Sequence, residues 1–180
     1  MEATKYGPVF NSKDYDMGPL INQKQLESVD AAVKNAVKQG AKVLCGGEPD
    51  TEVGGGKGYF YKPTVLTNCT QDMDIMHKET FGPVLPICTF KTMDEAIADA
   101  NDCEYGLTSS IFTTNTDYMM RACNELEFGE TYVNRWHFEA MQGFHQGIKK
   151  SGIGGADGKH GFEEYLQTHI CYIDYNTSKQ

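Results

Sequence analysis

Three stretches carry apolar residues at helical spacing, and each is followed by a short apolar or β-branched run; this order constrains the chain more than any other feature. The first stretch follows the turn Gly18-Pro19. Asn22, with Gln25 three residues on, reads as an N-cap of capping-box type. Leu26, Val29, Val33, Ala36 and Val37 share one face until Gly40 offers a left-handed stop, so a helix is predicted over roughly 23 to 39. Lys42 to Cys45, closed by Gly46-Gly47, then reads as a buried strand. Thr92 with Glu95 opens a second helix whose face is Met93, Ala96, Ile97 and Ala100, ending near Asn101. Leu107 to Thr113 is a strand candidate. Asn115 caps a third helix that buries Met119, Ala122, Cys123 and Leu126 before Gly129, and Tyr132 to Asn134 follows as a short strand. Such alternation predicts an α/β layered domain with a largely parallel sheet.

Other stretches interrupt this order. Residues 51 to 58 are glycine-rich and read as a loop tip; Tyr59 to Tyr61 and Thr64 to Leu66 form a strand pattern broken at Pro63. Phe81 to Phe90 is similar, with Pro83 and Pro86 limiting its pairing. Residues 143 to 161 hold seven glycines and little periodicity, which predicts a long irregular loop. Tyr165 to Tyr175 alternates like a strand and lies beyond anything it could obviously pair with.

Charge and cysteine spacing exclude several functions. With 16 basic and 25 acidic residues the formal charge is -9, so nucleic acid and anionic membranes are not expected partners. No apolar run approaches the roughly 20 residues that cross a bilayer, and the expected location is cytoplasmic. Six cysteines stand singly, with no CxxC pair, and five histidines form no HExxH, so neither a metal site nor a disulfide framework is expected.

The motifs fall in a recognisable order. Lys78-Glu79-Thr80-Phe81-Gly82-Pro83-Val84 is preceded by Gly18 to Ile21 and by Gly58 to Thr64. Asn101 to Thr108, Gly129 to Asn134 and Lys149 to Gly161 come after it. In this sequence of motifs the chain resembles the aldehyde dehydrogenase superfamily, from about residue 7 onward. The resemblance implies an incomplete catalytic domain: a three-layer α/β fold in which an open, twisted, largely parallel sheet carries helices on both faces. It assigns residues 1-165 to that domain and 166-180 to an oligomerisation strand and tail, hence a homo-oligomer. NAD or NADP is the implied cofactor of the complete enzyme.

Glu79 and Phe81 are the candidate cofactor residues. A carboxylate can accept from both hydroxyls of a ribose, and an aromatic ring can pack against a nicotinamide. Taken alone they read as a solvated glutamate and a core phenylalanine; the resemblance gives them the cofactor role. The glycine-rich segment Ser151 to Gly161 lacks the strand-loop-helix setting of a phosphate cradle and reads as structural. Glu139, Phe144 and His145 stand where the family lines its aldehyde tunnel, in a run similar to that of its lactaldehyde-oxidising branch, NRxxFEAMQGFHxGxxKSGIGGADGKHG. A carboxylate and an imidazole there could bond a hydroxylated aldehyde such as lactaldehyde or glycolaldehyde. Alone, such a pair is an ordinary surface contact.

Family chemistry needs a thiolate nucleophile, an oxyanion donor and a glutamate base. None of the six cysteines stands in a GQxC-like setting, Cys88 and Cys123 read as packed core thiols, and no dinucleotide-binding fingerprint occurs. No catalytic residue is therefore expected in this chain, and it should be inactive alone. The alternative is a non-catalytic assembly module that self-associates or caps a full-length subunit.

Overall fold

The computed structural model describes residues 3–10 and 14–175, and the chain divides into two compact units at Cys103/Glu104. In the first unit, helix α1 (Gln23–Gln39) starts where the Asn22 side chain accepts from the Gln25 backbone N–H. It stops at Gly40, whose φ of 116° is left-handed and whose N–H reaches Ala36 and Val37 carbonyls. The expected capping box is only half formed, because the Gln25 side-chain amide donates to the Phe81 carbonyl (2.9 Å) instead.

Strands β1 (Lys42–Cys45), β2 (Pro49–Asp50), β3 (Phe60–Tyr61) and β4 (Thr64–Thr67) follow α1. The short helix α2 (Asp74–His77), strand β5 (Val84–Pro86) and helix α3 (Met93–Asn101) complete the unit. β4 is the central strand of a three-stranded sheet, antiparallel to β1 and parallel to β5. The parallel step is possible because α2 lies between β4 and β5, giving the chain length to return in the same direction. Pro63 breaks the β3–β4 run and Pro86 ends β5, as their missing N–H groups require. α3 carries the full capping box of Thr92 and Glu95.

Val29, Val33 and Ala36 of α1 pack with Tyr61, Leu66, Cys69, Met73 and Ile75 to form the core. Leu66 is fully enclosed, a burial that stabilises by roughly 1.5–3 kcal/mol. β1 differs from expectation: it forms, but Val43 and Leu44 are exposed, because it is an edge strand and not a strand covered on both faces.

The second unit contains β6 (Tyr105–Gly106), β7 (Thr108–Ile111), helix α4 (Thr116–Glu125) and β8 (Glu130–Val133). Asn115 caps α4, and α4 connects the parallel pair β7–β8 as α2 connects β4–β5. The parallel pairing expected of an α/β order thus appears at two helical crossovers, while the remaining ladders are antiparallel. α4 ends at Glu125 with Leu126 as its C-cap, before Gly129, and Cys123 is exposed; Ala122 is the only buried apolar side chain of this unit among the described residues. Of the two thiols expected in the core, Cys88 is only half-buried, and the buried cysteine is Cys69.

The stretch expected to be an irregular loop is more ordered. It forms β9 (His145–Gln146), β10 (Ile148–Lys149), β11 (Gly155–Ala156) and the short helix α5 (Gly158–Glu163). β9 pairs with β11, and a side chain at Gly155 would collide with the His145 carbonyl, so glycine sets how closely these backbones approach. The strand expected over Tyr165 to Tyr175 is absent. Residues 166–175 have no regular structure and expose Ile170, Tyr172, Ile173 and Tyr175, since a strand without a neighbour leaves its backbone groups unpaired. Among the described residues, no helix is long and apolar enough to cross a membrane.

Candidate functional site

Two groups of expected site residues occur, one in each unit. In the first unit, Glu79 and Phe81 line one cleft of about 360 Å³ together with Gln25, Asn35, Asp74 and Lys78. The turn that presents them is fixed from both sides. Gln25 of α1 holds the Phe81 carbonyl, and the Thr64 N–H donates to the Pro83 carbonyl (2.8 Å). Gly82 lies against Val29 so closely that any side chain there would overlap the valine methyls. Phe81 is not a core residue; it is 69% exposed. Glu79 is exposed too, and its carboxylate makes no hydrogen bond or ion pair among the described residues.

This arrangement fits one end of a dinucleotide: two unused acceptor oxygens for ribose hydroxyls beside an uncovered aromatic face. Phe81 also borders a second cleft of about 660 Å³, lined by Met17 to Ile21, Tyr61, Gly82 and Pro83. Its mainly apolar wall continues the surface that the phenylalanine exposes.

In the second unit, the structure brings Glu139 and His145 together. His145 Nδ1 lies 2.6 Å from Glu139 Oε2 and 3.1 Å from Glu130 Oε1. The Nδ1 atom is enclosed, yet neither carboxylate meets it at a normal hydrogen-bond angle, so charge and not direction dominates the contact. The pair with Glu130, then the charges of Glu130, Glu139 and Asp157, hold the imidazole above the ordinary histidine range, against partial burial that lowers it. Phe144 turns its ring toward His160, with centroids 5.4 Å apart, and is half-buried next to His145.

Glu130 is the residue that sequence reasoning missed. Its side chain is 14% exposed, against 45% for Glu139. The Tyr132 hydroxyl donates to its other oxygen (2.8 Å), and burial together with that bond pushes the tyrosine up to about 12. The strand's two-residue period could have signalled it, because residues 130 and 132 of β8 share a face.

Glu130, Glu139 and His145 also place one ligand atom each within 4.8 Å of one another, a set that could take a divalent cation. The same three groups, with the proton on the imidazole, form an ion-paired cluster.

The aldehyde dehydrogenase family model matches residues 1–171. The chain is 55% identical to lactaldehyde dehydrogenase of Escherichia coli (strain K12), over 96% of this chain and 35% of the relative. It is 50% identical to 3,6-anhydro-alpha-L-galactose dehydrogenase of Vibrio sp. (strain EJY3), over 89% and 34% of the two chains. The crystal structure of the E. coli lactaldehyde dehydrogenase superposes with a TM-score of 0.91, again over 96% of this chain and 35% of that one. Betaine aldehyde dehydrogenase from Staphylococcus aureus in complex with NAD+, 37% identical, gives 0.84 over 92% and 33%. The chain thus spans about a third of the length of the relatives it matches. With one family model covering nearly the whole sequence, and the same fold shared with relatives of that kind, the chain belongs to the aldehyde dehydrogenase family.

Proposed function

We infer that this chain is the carboxy-terminal part of the catalytic domain of an NAD(P)-dependent enzyme that oxidises a small hydroxylated aldehyde to a carboxylic acid. The observation that supports it best is the convergence of Glu139 and His145, 2.6 Å apart, in a chain 55% identical to a lactaldehyde dehydrogenase. A carboxylate and an imidazolium together offer an acceptor and a donor, the pair that a hydroxyl beside a carbonyl requires. Phe144 supplies the apolar wall. Glu79 and Phe81 hold the ribose and nicotinamide, and the bound cofactor supplies the hydride acceptor. The chain's own residues position both partners and exclude water; the nucleophile, base and nucleotide-binding domain belong to parts of the enzyme beyond this segment. Leu166 to Tyr175, with its exposed apolar residues, adds to a sheet of a second subunit. Those exposed residues equally favour an assembly module that binds a full-length subunit without chemistry of its own.

The test uses the full-length enzyme that carries this segment, with Glu139→Leu and His145→Leu. A site built to bond a hydroxyl loses far more on lactaldehyde than on propanal, on the order of ten- to a hundredfold in selectivity. Equal losses on both aldehydes would make the pair structural.

A further inference from the structure

The two carboxylates that meet His145 differ in how firmly they are held. Glu139 is the nearer, but it lies in an irregular stretch and is 45% exposed, where water weakens its hold. Glu130 is farther by half an ångström, yet it sits on β8, is 14% exposed, and has its second oxygen held by Tyr132. Tyr132 is itself fixed: its ring packs against His137 (5.3 Å between centroids) and lies under the Arg135 guanidinium (5.6 Å). The backbone around the pair is equally constrained. A side chain at Gly129 would overlap the Gln146 carbonyl, so the start of β8 and strand β9 touch backbone to backbone.

We propose that Glu130 is a positioning residue: anchored by Tyr132, its part-buried charge holds the imidazolium of His145 on the Nδ1 side and so frees Glu139 to leave the imidazole and bond a ligand hydroxyl. The inference rests on the reading of Glu139 and His145 as the hydroxyaldehyde contacts and adds the residue that orients them. A single carboxylate could not do both tasks, since engaging a ligand would release the ring it holds. With Glu130 in place, Nδ1 keeps its proton and Nε2 is the nitrogen left to face a ligand, as an outer-shell carboxylate does for a histidine in a metal site. The charged groups facing this imidazole are Glu130 from β8, Glu139 from the irregular stretch and Asp157 from the start of α5.

The experiment is an NMR pH titration of the histidine side chains in this chain, with the His145 signal assigned by its loss in His145→Gln. Wild-type His145 should titrate above the ordinary histidine range. Glu130→Gln should lower its midpoint by about one pH unit, and Glu139→Gln by less than half of that. Glu130→Asp, which keeps the charge but draws it back by one carbon, should fall between wild type and Glu130→Gln and serves where the amide variant does not fold. Equal shifts from Glu130→Gln and Glu139→Gln, or none from Glu130→Gln, would overturn the proposal. So would micromolar zinc abolishing the titration in wild type but not in Glu130→Gln, which would make the cluster a metal site. In the full-length enzyme, Glu130→Gln should lower kcat/KM for lactaldehyde about tenfold and move its pH profile to lower pH. A shifted His145 midpoint with unchanged lactaldehyde selectivity in Glu139→Leu would sink the substrate reading while leaving Glu130 as the anchor.

Discussion

His145 converts its surroundings into a dependence of stability on pH. Its folded value is raised above the unfolded value of about 6.5, so the charged form is what the fold favours. The contribution is fully present below about pH 6.5 and is lost as the pH climbs through the folded value. The stability difference between wild type and His145→Gln, measured by urea unfolding, should therefore be largest at about pH 6 and shrink toward pH 9. A difference that grows with pH would mean the neutral imidazole is the favoured form. The proposed cofactor role of Glu79 predicts an effect on function and hardly any on stability, because it is exposed and unpartnered among the described residues. Glu79→Gln in the full-length enzyme should leave unfolding unchanged within about 0.5 kcal/mol. It should slow hydride transfer, because the amide offers one acceptor where the carboxylate offers two. Unchanged turnover and cofactor affinity would remove Glu79 from the site.

The elements divide into those with their own stop signals and those that need a neighbour. α1 and α3 begin and end where their caps stand, and each cap satisfies backbone groups that would otherwise be orphaned. Residues 166–175 have the alternation of a strand and no regular structure, with Tyr172 93% exposed. If a second subunit completes it, deleting residues 166–180 should make the chain more monomeric in size-exclusion chromatography with light scattering, while its circular dichroism stays near wild type. An unchanged elution and mass would show that the contact lies elsewhere.

At the scale of the molecule, the proposed reading makes the segment a set of walls that needs reacting groups from elsewhere in the enzyme. Cys69 is buried, with its thiol pushed up by that burial, and no cysteine stands in the family's nucleophile context. The 180-residue chain should produce no NADH from glycolaldehyde above a buffer control. Turnover that vanishes on mutation of one cysteine would locate a nucleophile within it.

The sequence by itself determined the local order: where α1, α3 and α4 begin, that Gly40 stops α1, and that Pro63 and Pro86 interrupt strands; its motif order offered Glu79, Phe81, Glu139 and His145 as candidates. These follow from caps, dihedral limits and motif order, which act over a few residues. Tertiary structure alone decided that β1 lies at an edge with Leu44 in solvent, that Cys123 is exposed, and that the glycine-rich stretch folds into ladders around β9. It also turned Gln25 away from its cap to hold Phe81, and placed Glu130, fifteen positions from His145 in sequence, 3.1 Å from its Nδ1. The physical reason is that burial and long-range contact depend on which strands become neighbours, and pairing partners far apart in sequence leave no local signal.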